Sequence, residues 1–261
     1  MRRMPDTISA DGTRIAIQEH GTGRPIILTA GALSTAASMR PLAASFADAG
    51  WRGVCWDRRG RGESGDTRYY APEREIEDLH SVVDAVGGDA VVFGHSGGAV
   101  LAFLAAGAGV PMTDLFLSEP VLRFGEGEPP ADLADRLQVL VDGGRPDQAV
   151  LTFQRENVRL SEQQIEQLAD SPDFAPMVDL AQTTVYDTRL IAQASTPTRE
   201  MLDIDVPTTI MRGEPAAPIF MTGCPRLAKL MPAADLVVVP ESHDHALDPI
   251  GTVREVLARV S

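Results

Sequence analysis

Lysine is almost absent from this chain: of its 23 basic residues only Lys229 is a lysine, and 37 acidic residues leave a formal net charge of -14. No basic patch offsets that excess, so nucleic acid and anionic membrane surfaces are excluded as partners. Cysteine is nearly absent too. Cys55 and Cys224 lie far apart and have neither metal-ligand nor disulfide spacing. Cys55 sits in an apolar run and is expected to be a buried thiol. No apolar stretch approaches the roughly 20 residues a membrane helix needs. The opening Met1-Arg2-Arg3-Met4-Pro5-Asp6 is basic but no apolar run follows it, so no secretory signal is expected. Internal repeats and low-complexity tracts are missing as well. These absences point to a soluble, cytoplasmic protein. Its 261 residues suit one α/β domain with room for an inserted lid.

What is present centres on Val91-Val92-Phe93-Gly94-His95-Ser96-Gly97-Gly98-Ala99. It reads Gly-x-Ser-x-Gly between an apolar run suited to a buried strand and an alanine-rich run suited to a buried helix. Gly and Ser are abundant, so the short motif alone could mark an ordinary turn. In its strand–turn–helix setting it predicts a tight turn that lifts the Ser96 hydroxyl out of a sheet. The same turn aims backbone N–H groups of the new helix at whatever Ser96 attacks. His95 is read as a packing residue directed away from the hydroxyl.

Strand-like and helix-like segments alternate around this motif. Strands are predicted at 14–18, 25–30, 53–56, 90–93 and 115–117, with helices at 41–49, 72–86 and 97–108. After Glu119-Pro120 a Gly/Pro/Glu-rich linker leads into a helical stretch with no clear strand, to about residue 201. Strands resume at 206–211 and 235–239, and a helix closes the chain at 250–260. Alternation of this kind implies a parallel sheet with helices on both faces and chemistry at the carboxyl ends of the strands. The simplest division is a core of residues 1–119 and 205–261 and a helical cap of residues 120–204.

The Gly94–Gly98 motif, with Asp57-Arg58-Arg59-Gly60-Arg61-Gly62-Glu63-Ser64, resembles the α/β-hydrolase fold superfamily. The second stretch is similar to the D-x-R-G-x-G-x-S loop that many of these enzymes carry after an early strand. Glu119-Pro120 resembles a subgroup of small bacterial hydrolases with a Glu-Pro pair at that strand end. The resemblance implies that Ser96 is the nucleophile and that its base lies in the loop after the last strand. Position 243 matches the family's Gly-His pattern, with Ser242 in place of glycine, so His243 is favoured over its neighbour His245. The usual acid position is occupied by Ala216. The resemblance offers an alternative acid site at the end of the strand directly after the nucleophile unit, which is Glu119 here, so the carboxylate is expected from Glu119, with Glu214 as the alternative. Asp57 to Ser64 is read as structural bracing. The resemblance also assigns the oxyanion hole to the backbone N–H groups of Gly97 and Ala32.

This reading expects hydrolysis of a carboxylic ester or lactone through a Ser-His-Glu triad and an acyl-enzyme. The same triad also serves C–C bond hydrolysis, thioester cleavage, lyases and cyclases, and a ligand-binding protein on a hydrolase scaffold is the non-enzymatic alternative. His243 and His245 form a His-x-His pair without further ligands, so no metal and no organic cofactor is expected. The expected partner is a small neutral or apolar acyl compound, and the protein is expected to be a monomer or homodimer. Leu137, Leu140, Val141, Leu151, Phe153, Phe174, Met177 and Leu180 give the cap apolar faces.

Overall fold

The computed structural model describes residues 2–67 and 69–260. Its main sheet has eight strands, β1 (Arg2–Arg3), β2 (Ile17–His20), β3 (Pro25–Thr29), β4 (Arg52–Trp56), β5 (Val91–His95), β6 (Asp114–Ser118), β7 (Thr208–Gly213) and β8 (Asp235–Val239). They lie in the order β1-β2-β4-β3-β5-β6-β7-β8, antiparallel at the β1-β2-β4 edge and parallel thereafter. The predicted strand at 14–18 is broken. Arg14–Ile15 pairs with Thr7–Ile8 in a separate ribbon, and the chain rejoins the main sheet at Ile17.

Parallel strands covered on both faces need apolar residues on both, and these strands have them. Ile27, Val92, Leu115, Leu117 and Ile210 pack on one side with α2 (Pro72–Val86) and α3 (Gly97–Gly107). Ile26, Leu28, Val91, Phe93, Phe116 and Met211 pack on the other with α1 (Arg40–Asp48) and α11 (Pro249–Leu257). Alternate residues thus serve opposite cores. Helix α3 is buried from Gly97 through Ala106, consistent with its all-apolar sequence.

Between β6 and β7 the chain runs through α4 (Leu133–Asp142), α5 (Pro146–Phe153), α6 (Glu162–Ala169), α7 (Phe174–Val178), α8 (Ala181–Ala194) and α9 (Arg199–Leu202). A π-helical turn, Gln154–Val158, continues α5. Leu133, Leu137, Val150, Phe153, Val185 and Tyr186 form a separate apolar cluster here. Helix α8 belongs to both parts, because Leu190, Ile191 and Ala194 enter the main core. After β7 comes α10 (Pro218–Leu230), a helix that the sequence pattern did not suggest.

Strand register brings the site to one edge. His95 pairs with Ser118, Ser118 with Met211, and Val239 with Gly213. The chain therefore leaves β5, β6, β7 and β8 at nearly one level, and the loops that follow converge.

Candidate active site

The turn after β5 is shaped by glycine. A Cβ on Gly94 would lie 2.4 Å from the Gly98 carbonyl oxygen, and one on Gly98 would lie 2.3 Å from that of Thr29. Side chains at either position would hold β5, α3 and β3 apart. Between them Ser96 takes φ 57° and ψ -122° at the start of α3, and its amide donates to the Ser118 carbonyl at 2.9 Å. A non-glycine residue in that region persists only where its surroundings over-determine it. Gly31 lets the loop after β3 come close, since its Cβ would stand 3.0 Å from that of Ser96. A Cβ on Gly97 would lie 3.5 Å from the Ala32 nitrogen, so the Ala32 amide sits beside the first residue of α3.

Glu119 follows β6 at φ 48°, and its amide donates to the Met211 carbonyl at 2.8 Å. Its side chain is buried, with Oε1 accepting from the Gly213 amide at 3.0 Å and Oε2 meeting Nδ1 of His245 in a short hydrogen bond. Burial alone would raise the Glu119 pKa. The donors from His245 and Gly213 outweigh it, and the carboxyl is held below its usual value. An ionised carboxylate can only accept, so Nδ1 carries the proton and Nε2 of His245 presents a lone pair.

Two rings pack against His245. Phe220 of α10 stacks on it at 4.6 Å between centroids and 10° between planes, and the His95 ring lies 4.5 Å away on a tilt of 35°. Nε2 of His95 donates to the His245 backbone carbonyl at 3.2 Å, which leaves Nδ1 to accept from Ser118 Oγ at 3.4 Å. Burial, with His245 nearby, lowers the His95 pKa to about 3, so the ring stays neutral. His95 therefore fixes the histidine loop, a part larger than the packing role expected of it.

The ring that meets the Glu119 carboxylate is that of His245, two residues beyond the expected His243. His243 is exposed and its Nδ1 faces the Glu214 backbone carbonyl at 3.0 Å, away from the carboxylate of Glu119. The cause is a tight turn. The Ala246 amide donates to the His243 carbonyl at 2.8 Å, while Asp244 (φ 49°) and His245 (φ 66°) are both left-handed. Two successive left-handed residues reverse the chain and return His245 to the sheet edge. Alignment on the residue after β8 cannot register that reversal. Glu214 is also drawn elsewhere, its carboxylate binding Nη1 of Arg212 at 2.6 Å near the surface.

Asp57 braces the loops, accepting from the amides of Ala36 at 2.7 Å and Glu63 at 3.0 Å. Beside it, buried Arg58 binds Glu75 at 2.6 Å and Asp187 of α8 at 2.9 Å, and Arg61 binds Asp187 at 2.8 Å. A hydrogen bond from Arg58 Nη1 to the Ala30 carbonyl, at 3.5 Å, ties this cluster to the loop after β3. Arg58 and Arg61 against Glu75 and Asp187 make two cations and two anions, a balanced buried quartet. Both cysteines are buried, which raises their thiols to about 12 and leaves them unreactive.

Ser96, His95, His245, Gly31 and Ala32 all line one cavity of about 860 Å³, roofed by Phe153, Val158 and Ile191 from the segment between β6 and β7. Among the described residues, Ser96 Oγ makes no hydrogen bond to His245. Such looseness is common between a nucleophile and its base without substrate. No group of three or more His, Cys, Asp or Glu side chains among the described residues could hold a metal ion, and no helix is long and apolar enough to cross a membrane.

A serine on a strand-to-helix elbow, a carboxylate-bound histidine facing the same cavity and the strand order above together define one protein class. A model of the alpha/beta hydrolase family matches residues 20–256, and the chain belongs to that family. It is similar to an alpha/beta hydrolase from Sphaerobacter thermophilus DSM 20745, with 37% identity over 98% of this chain and 100% of that one and a TM-score of 0.91. A thermophilic esterase from Thermogutta terrifontis shares the fold at 21% identity, over 100% of this chain and 99% of that one, with a TM-score of 0.74. The thioesterase domain from the curacin biosynthetic pathway shares it at 19% identity, over 98% and 100%, with a TM-score of 0.71.

Proposed function

We propose that this protein is a serine hydrolase that cleaves a carboxylic ester, open or cyclic, with Ser96 as nucleophile, His245 as base and Glu119 as acid. The observation that carries this reading is the hydrogen bond from His245 Nδ1 to the buried Glu119 carboxylate at the edge of the cavity that contains Ser96. That bond fixes the tautomer a general base needs and stabilises the imidazolium that forms.

In the proposed reaction His245 Nε2 takes the Ser96 proton as Oγ bonds to the carbonyl carbon. The N–H groups of Gly97 and Ala32 hold the oxyanion. Collapse expels the alcohol, which takes the proton from His245 and leaves an acyl-serine. Water then attacks, passing its proton to His245, and the acid departs with Ser96 restored. The segment of residues 120–204 acts as a cap that roofs the cavity and sets substrate size. His95 serves as a positioning residue for His245.

The test is labelling by a serine-directed fluorophosphonate together with hydrolysis of p-nitrophenyl esters. Wild-type protein is expected to label at Ser96 and turn over ester, and Ser96→Ala to do neither. Equal behaviour of the two proteins would end the hydrolase reading.

A further inference from the structure

Four arginines are buried among the described residues: Arg58, Arg59, Arg61 and Arg123. Arg58 and Arg61 sit on Glu75 and Asp187, and Arg59 sits on Asp11 and Asp78. Among the described residues, Arg123 has no carboxylate within ion-pair distance. Its Nη1 donates to the Gly127 carbonyl at 3.1 Å, its Nη2 to the Asn157 carbonyl, and its buried Nε has no hydrogen-bond partner. A second cation, Arg159, lies close enough to repel it. Arg159 also rests only on carbonyls, those of Gly127 at 3.2 Å and Glu128 at 3.1 Å. The opposing charge felt by Arg123 is Glu128, whose carboxylate accepts from Ser195 Oγ at 2.7 Å and the Gly125 amide at 3.2 Å, and the one near Arg159 is Glu156, which is bound by Arg136 at 2.9 Å.

Both arginines line the cavity that holds Ser96 and His245. They are presented by the chain after β6 and by the left-handed residue that ends the π-helical turn, where Arg159 has φ 71°. π-Turns of this kind recur at functional sites. Among the described residues, Asp244, adjacent in sequence to His245, is the only carboxylate lining the cavity. A protein of formal charge -14 thus keeps on the wall of its candidate active site two arginines that form no salt bridge among the described residues. Burying a cation against neutral carbonyls costs free energy that an anionic ligand would return. Guanidinium groups match carboxylates in geometry as well as charge.

We infer that the substrate carries a carboxylate besides the bond to be cleaved, and that Arg123 and Arg159 bind it. The inference rests on the hydrolase reading above and narrows it, replacing the neutral or apolar acyl compound expected from sequence with an acidic one.

The test compares monophenyl succinate, which has a free carboxylate, with its neutral amide analogue phenyl succinamate. Wild type is expected to favour the acid in kcat/KM, and Arg159→Gln and Arg123→Gln are each expected to cut that acid-to-amide ratio by about tenfold, chiefly through KM. Arg159 is exposed, so its substitution keeps the fold if Arg123→Gln does not. A binding arm separates this inference from the hydrolase reading. In Ser96→Ala protein, glutarate should raise Tm where glutaramide does not, and adding Arg159→Gln should weaken that effect. Glutarate binding without turnover of either ester would sink the hydrolase reading and leave the anion site standing. An unchanged ratio in both variants, or no preference for glutarate over glutaramide, would overturn the anion site.

Discussion

Ser96, Glu119 and His245 all have positive φ, at 57°, 48° and 66°. Each such residue stores about 1–3 kcal/mol of strain and persists where neighbours fix it. At Ser96 those neighbours are close-packed glycines; at Glu119 they are the Met211 carbonyl and the Gly213 amide. The consequence at this scale concerns the acid. Glu119→Gln keeps the shape but no longer enforces the histidine tautomer, and should lower kcat by about 10³–10⁴-fold. Glu214→Gln removes only a surface contact to Arg212 and should stay within about twofold of wild type. Steady-state kinetics on a p-nitrophenyl ester, at equal folded fraction, would expose an inverted order.

Elements carry the site through close backbone approaches. A Cβ at position 98 would meet two carbonyl oxygens of the β3 end at 2.3 and 2.5 Å, whereas one at position 97 has nothing nearer than 3.5 Å. Gly98→Ala should therefore lose on the order of 3 kcal/mol or more, and Gly97→Ala far less, in urea denaturation. Comparable losses would show that β3 and α3 can separate freely. The quartet of Arg58, Arg61, Glu75 and Asp187 joins α8 to α2 and to the loop after β4. Asp187→Ala leaves Arg61 and Arg58 short of a buried partner, and should cost about 3–5 kcal/mol by the same measurement. The strand–turn–helix unit was legible in sequence because Gly-x-Ser-x-Gly, an apolar run and an alanine-rich run all impose the same local structure. Glu119, the proposed acid, was singled out by resemblance to a family acid site directly after a strand, and its contact with His245 follows from that position. That the ring of His245, and not that of His243, meets Glu119 was hidden because the turn at Asp244 and His245 is fixed by left-handed backbone that neither residue type demands. Helix α10 was hidden by Pro225 in its interior, and the setting of Arg123 depends on a contact with the carbonyl of Asn157, 34 residues away.

At the scale of the whole molecule, one sheet edge gathers residues from four strand ends, and the half-buried His95 there links the site to stability. His95 is held at about 3 in the folded protein against about 6.5 for an unperturbed histidine. Between those values the unfolded chain binds the extra proton, so stability rises with pH in that window. The contribution is complete above about 6.5 and is lost as pH falls toward about 3, by at most about 1.4 kcal/mol per pH unit. Contact of the ring with the cavity keeps the slope below that ceiling. Urea denaturation at pH 7, 6 and 5 should show stability falling with acidity, and His95→Gln should flatten the fall. Parallel curves for the two proteins would remove His95 from the account.

The choice of base is the point on which the proposed chemistry depends most. The decisive measurement is ester turnover and fluorophosphonate labelling by His245→Gln and His243→Gln, each verified as folded. His245→Gln should lose about 10³-fold or more in both, and His243→Gln should keep nearly all of the wild-type rate. Loss of activity in His243→Gln with retention in His245→Gln would contradict the pairing of Glu119 with His245 as the working dyad.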